Sequence, residues 1–422
     1  MLSSSTATQR AVFRSRWLLL ALLVTSVCIN YVDRGNLSIA AATLDSRREL
    51  GLDNQDLGVL FAAFFCTYST FQVFTGWLID RFNVYCVYTA GFVLSSVATV
   101  PAGFVGGLAS LLALRLLLGL SEAVVYPAYS NKMIFASFHE QERGFANALI
   151  DAGSRTGPAI GALGGGLIVS RRGWRMLFLT VGTAGALWLL PWCWYLVRRS
   201  APVQGRAVRG GSGPGFAAIL RQRQTWGMFL GLFCLNYTWT FILNWLPTYL
   251  TQERHDSTRM MAWYGSVPFW GVVVTTVACG WIADRWIERG ASPTRFRLGF
   301  VVGGMLVNVL MLPAYLISNQ LISMVLLTIA CLALGLTSSN FWAITQTLAG
   351  GDACGRWAGL QNGVGNLAGI FGHYLTGVIV ARMGSFFLAF AAATGMAAAG
   401  ALSYWLIERR LEPVRWVRSG AI

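Results

Sequence analysis

Twelve runs of twenty or more predominantly apolar residues divide this 422-residue chain. Each is long enough to cross a hydrocarbon core of about 30 Å as a helix. Their limits are 17–42, 57–79, 84–106, 108–130, 144–170, 175–197, 226–250, 262–283, 297–317, 321–347, 357–381 and 385–407. A backbone inside hydrocarbon has to satisfy its polar groups within the segment, which predicts helices; the Gly and Pro in several runs are tolerated where neighbouring helices supply the missing partners. With 55% hydrophobic and 12% charged residues, the chain reads as an all-α, polytopic membrane protein of twelve transmembrane helices.

The net charge of +15 has to be placed before it is interpreted. With loops on alternate sides, most basic residues fall on the side shared by both termini, which is the positive-inside bias. The excess is therefore an orientation signal that puts both termini in the cytoplasm, and no nucleic-acid partner is expected. Arg171, Arg172 and Arg175 run against the rule on the other side. Behind Arg10, Arg14 and Arg16 the first apolar run is long and lacks a small-residue cleavage site, so it is expected to stay as a helix. Seven of the eight cysteines lie in apolar runs and no pair has C-x-x-C spacing, so neither metal nor cofactor is expected.

A stretch rich in Gly, Pro, Ser and Arg at 198–225 separates six runs from six. It divides the chain into an N-terminal bundle, 1–197, a cytoplasmic linker, 198–225, and a C-terminal bundle, 226–422. The halves share a repeat: Gly76-Trp77-Leu78-Ile79-Asp80-Arg81 follows the second run, and Gly280-Trp281-Ile282-Ala283-Asp284-Arg285 follows the eighth. Duplicated halves predict two parallel bundles with a site between them. Asp80, Arg81, Asp284 and Arg285 then read as inter-helix locks in gating positions.

Ionisable residues within the runs carry the functional signal, because charge in hydrocarbon is costly and usually faces a cavity. Asp33 and Arg34 lie in the first run, and Arg115 and Glu122, seven residues apart and so on one helical face, lie in the fourth. Asp151 and Arg155 are four apart, a spacing for an intrahelical pair, near the cytoplasmic end of their helix, where a gate or packing role is expected ahead of substrate contact. The proton occupancy of a carboxylate in a low-dielectric cavity depends on desolvation and on any guanidinium beside it, and an arginine's planar fork suits a ligand carboxylate. An anionic substrate that takes an arginine would free the protein's own carboxylate to take a proton. The alternative is a static ion-pair network that holds the bundle together. Neutral polar residues in the runs, Tyr31, Tyr68, Gln72, Asn236, Asn340, Thr345, Asn362 and Asn366, serve either as pocket groups or as interhelical bridges.

The Asp-Arg loop signatures and Arg115-Leu-Leu-Leu-Gly119 resemble the major facilitator superfamily. Asn30-Tyr31-Val32-Asp33-Arg34-Gly35-Asn36-Leu37, Gly119-Leu-Ser-Glu122-Ala with Tyr126-Pro127-Ala128, and Asn244-Trp245-Leu246-Pro247-Thr248-Tyr249-Leu250 are similar to its anion:cation symporter family. That family includes bacterial permeases for galactonate, hexuronates, glucarate and phthalate, and vesicular glutamate and sialic acid carriers. The resemblance covers residues 17–407 and implies two pseudo-symmetric six-helix bundles in a bacterial inner membrane, working as a monomer. It implies that Asp33 and Glu122 bind protons, that Arg34 meets the substrate carboxylate with Arg115 balancing Glu122, and that Tyr31, Tyr68 and Asn366 line the pocket. Asn83, Tyr85 and Cys86 depart from the family's usual loop, and His373, expected to be a packed residue, stands where relatives often have proline. The expected activity is proton-coupled symport of a small organic anion, a sugar acid or related carboxylate, by alternating access. Export or exchange of a larger carboxylate on the same fold is the alternative. No nucleophile elbow, zinc helix motif or phosphate-binding loop points to an enzyme.

Overall fold

The computed structural model describes residues 2–129, 133–138, 140–198, 214–290, 292–407, 412–414 and 416. Most of the expected linker, 199–213, lies outside the described residues. Long helices dominate, and no strand occurs among the described residues. In chain order they are α1 (Leu2–Ala41), α2 (Asn54–Arg81), α3 (Val84–Thr99, extended by a tight turn at Pro101–Phe104) and α4 (Leu108–Glu122, continued by Val125–Ala128). Next come α5 (Glu140–Ile160, running on through Gly161–Gly165 and Gly166–Arg172) and α6 (Trp174–Arg198). The second set is α7 (Arg223–Gln252), α8 (Thr258–Glu288), α9 (Pro293–Val307, continued by Met311–Leu316), α10 (Gln320–Gly350), α11 (Arg356–Met383) and α12 (Phe387–Ile407). Ten of these are long and apolar enough to cross a membrane; α2 and α5 complete the set by length.

Local sequence fixes where the helices begin and end. Asp53 and Asp56 form a reciprocal capping box at the start of α2, each side chain accepting the other's backbone N–H at 2.7 and 3.1 Å. Asn83, one of the departures from the usual loop, caps α3 by accepting from the Tyr85 N–H at 2.9 Å. Gly350 takes φ +65° between α10 and α11, and Gly384, also at +65°, closes α11. Pro158 removes a backbone donor in α5, and a π-helical turn over Gly161–Gly165 follows it. Side chains such as Leu190, Val274 and Leu321 are about two-thirds exposed, an apolar outer surface that suits lipid.

In the first bundle α1 packs on α5 and α6, α2 on α4, and α3 on α4 and α6; in the second, α8 and α9 pack on α10, α11 on α7, and α12 on α7 and α9. The bundles meet where α1 faces α7, α5 faces α8 and α2 faces α11. They touch through small residues. A Cβ on Gly58 of α2 would lie 2.7 Å from the His373 carbonyl oxygen and 2.9 Å from the Gly377 Cα of α11. One on Gly166 would lie 2.5 Å from the Ala262 methyl of α8. Phe61 closes over the same region, edge-on to Trp245 at 5.4 Å. This seals the cavity on the side opposite the chain ends.

The close approach of α2 and α11 predicts that Gly58→Ala lowers the melting temperature of the purified protein. Gly395→Ala in α12, where nothing lies within 4 Å of the added methyl, leaves it unchanged or raises it, because alanine favours a helix over glycine.

Candidate functional site

A central cavity of about 160 Å³ opens between the bundles. Residues of α1, α2, α4 and α5 form one wall, and residues of α7, α10 and α11 form the other. Of the residues singled out in the sequence, Tyr31, Arg34, Tyr68, Arg115, Asp151, Arg155, Asn236, Asn362 and Asn366 lie on its surface.

The deepest contact joins α1 to α4. Arg34 donates from Nε to Oε2 of Glu122 at 2.6 Å, and Glu122 is completely sealed from solvent. The other carboxylate oxygen, Oε1, is buried and meets no hydrogen-bond partner among the described residues. Because Glu122 is held through Nε, the terminal fork of Arg34 is not spent on it. Three rings surround that guanidinium, Tyr31 at 4.4 Å, Tyr68 at 4.7 Å and Phe64 at 5.1 Å from its centre, an arrangement that holds a cation by its faces. The sequence reading paired Glu122 with Arg115 on its own helix; the direct partner is Arg34. Arg115 lies within Coulombic range of both Asp33 and Glu122. It shares a small void with Asp33 and Thr99 behind the main cavity. Asp33 is also buried and accepts from the Asn36 amide at 3.2 Å.

The neutral groups divide. Asn362 and Asn366, one turn apart on α11, both donate to Oε1 of Gln72 on α2, at 3.1 and 3.2 Å. Gln72 therefore stands behind the wall as a bridge between bundles. Thr345 is off the cavity, buried and donating to Gln361 at 3.1 Å, and Asn340 bonds its own helix at Leu336. Asp151 and Arg155 form an intrahelical contact of 3.9 Å. They sit on the cavity wall, away from the helix end where the sequence placed a gate, with the Arg155 guanidinium over Trp239 of α7 at 4.7 Å. Arg81 and Arg285 are exposed at the ends of their helices, and the side chains of Asp80 and Asp284 lie outside the described residues. His373 is packed against Phe61 and Phe65. Its Nδ1 accepts from the Trp245 indole at 3.2 Å, and its Nε2 faces the Asn244 amide at 3.0 Å. An indole N–H only donates, so Nδ1 carries no proton here.

Several wall residues were not singled out for the pocket: Asn30, Tyr126, Tyr129, Ser154, Trp239, Asn244 and Trp342. Asn30 is buried, and neither amide atom has a hydrogen-bond partner among the described residues; Tyr126 and Trp342 stack across the bundles at 6.4 Å. Asn30, Tyr126 and Asn244 stand inside motifs already visible in the sequence. Nothing local marks Trp239 or Trp342 among seventeen tryptophans.

Paired helical bundles with buried ions around a central cavity define a secondary transporter fold. The chain belongs to the Major Facilitator Superfamily, which it matches over residues 23–373, and it is an integral membrane transporter. It is 30% identical over 416 residues to a D-galactonate transporter of Escherichia coli, covering 93% of this chain and 96% of the relative. It is 27% identical to a probable sulfoacetate transporter of Cupriavidus necator, covering 94% of each. A probable galactarate/D-glucarate transporter of Bacillus subtilis is also 27% identical, over 93% of this chain and 91% of the relative. The fold matches the crystal structure of a bacterial homolog to the human lysosomal transporter Spinster with a TM-score of 0.76 at 16% identity, over 93% and 97% of the two chains.

Breaking a buried ion pair by removing one partner costs about 3–5 kcal/mol, whereas replacing both with apolar residues is often neutral. Arg34→Leu is therefore expected to lower the melting temperature further than the double variant Arg34→Leu/Glu122→Leu; a double variant whose loss is the sum of the Arg34→Leu and Glu122→Leu losses would show that the contact carries no coupling.

Proposed function

We propose that the protein is a proton-coupled symporter of a small organic anion, a sugar acid or related carboxylate. The observation that carries this reading is the Arg34–Glu122 contact, made through one guanidinium nitrogen at the cavity wall, with the second Glu122 oxygen buried and unanswered. Relatives named for galactonate, galactarate, glucarate and sulfoacetate support the substrate class.

A cargo carboxylate entering the cavity meets the terminal nitrogens of Arg34, which Glu122 does not hold and whose planar geometry suits bidentate binding. As it binds, it competes with Glu122 for the same cation. A sealed carboxylate that loses its counter-ion has two options, to leave for water or to take a proton. Glu122 is enclosed where an unpaired charge is costly, so as Arg34 turns to the cargo the carboxylate takes up a proton from the water of the cavity. Asp33, with Arg115 beside it, acts as the second proton site. Asn236, Asn362, Asn366 and Tyr68 meet cargo hydroxyls. Release of the interlock at Gly58, Gly166 and Phe61 lets the bundles, 1–197 and 226–422, rock about the site on the 198–225 linker. The protein would act as a monomer in a bacterial inner membrane, with both termini cytoplasmic.

Glu122→Gln keeps an acceptor for Arg34 and removes the titratable oxygen. In proteoliposomes this variant is expected to lose uptake driven by an imposed pH gradient while retaining counterflow exchange of labelled substrate. Undiminished accumulation against a gradient would defeat the assignment, and accumulation that follows sodium in place of protons would replace the coupling ion.

A further inference from the structure

Once the deep pairs are formed, a third cation on the cavity wall remains only loosely engaged. Arg155 is 17% exposed, and its nearest carboxylate, Asp151 Oδ1, is 3.9 Å away on a side chain that is itself 40% exposed. Its Nε is buried and has no hydrogen-bond partner among the described residues. The Arg34–Glu122 contact, at 2.6 Å with Glu122 fully enclosed, differs in kind. A single long contact between partly solvated groups contributes little. A ligand carboxylate gripped by two N–H groups gains a charge-assisted pair, so an incoming anion displaces Asp151 at little cost.

The surroundings of Arg155 hold it in place without consuming its donors. Trp239 of the opposite bundle sits under the guanidinium at 4.7 Å and takes up the face of the cation, whereas the N–H groups point along its edge. An amide stands near each cation. Asn30 lies one helical turn from Arg34 on α1, on the wall and with neither amide atom partnered among the described residues; Asn236 lies three residues from Trp239 on α7, also on the wall. The cavity thus offers two arginine donors from different helices and amides suited to a hydroxylated chain.

We propose that Arg155 is a second anion subsite, and that the preferred cargo carries two negative groups, one for Arg34 and one for Arg155, on a short polar skeleton. Dicarboxylates of the aldarate type, or a carboxylate and a sulfonate on one small chain, have that chemistry. This rests on the anion-carrier reading above. It adds that a monocarboxylate fills only half of the charged site.

The test is binding by calorimetry to the purified full-length protein, using a six-carbon aldonate, the aldarate of the same skeleton, and unsubstituted α,ω-dicarboxylates of increasing length. Wild-type protein is expected to bind the aldarate about tenfold or more tightly than the aldonate, the order of one charge-assisted bidentate contact. The dicarboxylate series should show an optimum length set by the spacing of the two arginines. Arg155→Gln is expected to collapse the aldarate preference by weakening the aldarate far more than the aldonate, and Arg155→Lys to restore part of it. A structural role for Arg155 in joining the bundles would instead weaken both ligands alike, and that result overturns the proposal. So does a wild-type protein that binds the aldonate as tightly as the aldarate, an outcome independent of whether any variant folds. Wild-type protein that binds none of these anions would bring down the carrier reading itself, whereas aldonate binding without aldarate preference removes only the second subsite.

Discussion

Glu122, enclosed on every side and held by one nitrogen of Arg34 at 2.6 Å, is the interaction around which the first bundle is organised. Moving an isolated carboxylate out of water costs far more than a domain's net stability unless it is paired or neutralised. The neighbouring helices are positioned accordingly: α1 supplies the cation, α2 supplies Tyr68 and Phe64 to hold it, and α4 supplies both the carboxylate and Arg115. A pair built this way has two acceptable states. In one, the arginine answers the carboxylate; in the other, a proton does, and the arginine is free for cargo. Under the proposed symport, that exclusion of each state by the other would be the physical basis for coupling.

The same economy shapes the join between the bundles. Hydrophobic burial gives little drive for helices to associate in lipid, so they gain by close backbone approach at small residues. Gly58 against Gly377 and Gly166 against Ala262 are such contacts. They are extensive enough to close one side. Among the polar links across the bundles, those of Gln72 with Asn362 and Asn366 lie beside the cavity.

The helices were legible because hydrocarbon demands long apolar runs, and the runs 57–79 and 175–197 fall within helices Asn54–Arg81 and Trp174–Arg198. The charged site residues were legible for the opposite reason, since Asp33, Arg34, Arg115 and Glu122 are conspicuous in such a background. Which arginine answers which carboxylate was not legible. Residues 34 and 122 meet only through the relative rotation of α1 and α4, while the i, i+7 spacing of Arg115 and Glu122 is visible along one helix. Neutral pocket residues were harder still. A soluble helix advertises its buried face by contrast with a polar one, but here lipid and protein both accept apolar side chains. Thr345 therefore read like a pocket residue although it turns towards Gln361, and Trp239 went unmarked although it carries Arg155. The depth of Asp151 and Arg155 was misread because they follow the polar opening of α5, which continues helical from Glu140.

If cargo and proton exchange partners at Arg34, binding alone must draw a proton from solution, with no membrane and no gradient present. Purified protein in weakly buffered solution with a pH indicator, titrated with a sugar acid that it binds, measures this directly. The account predicts proton uptake on binding by the wild-type protein and a smaller uptake by Glu122→Gln at equal ligand occupancy. Saturable binding that leaves the pH unchanged would contradict it.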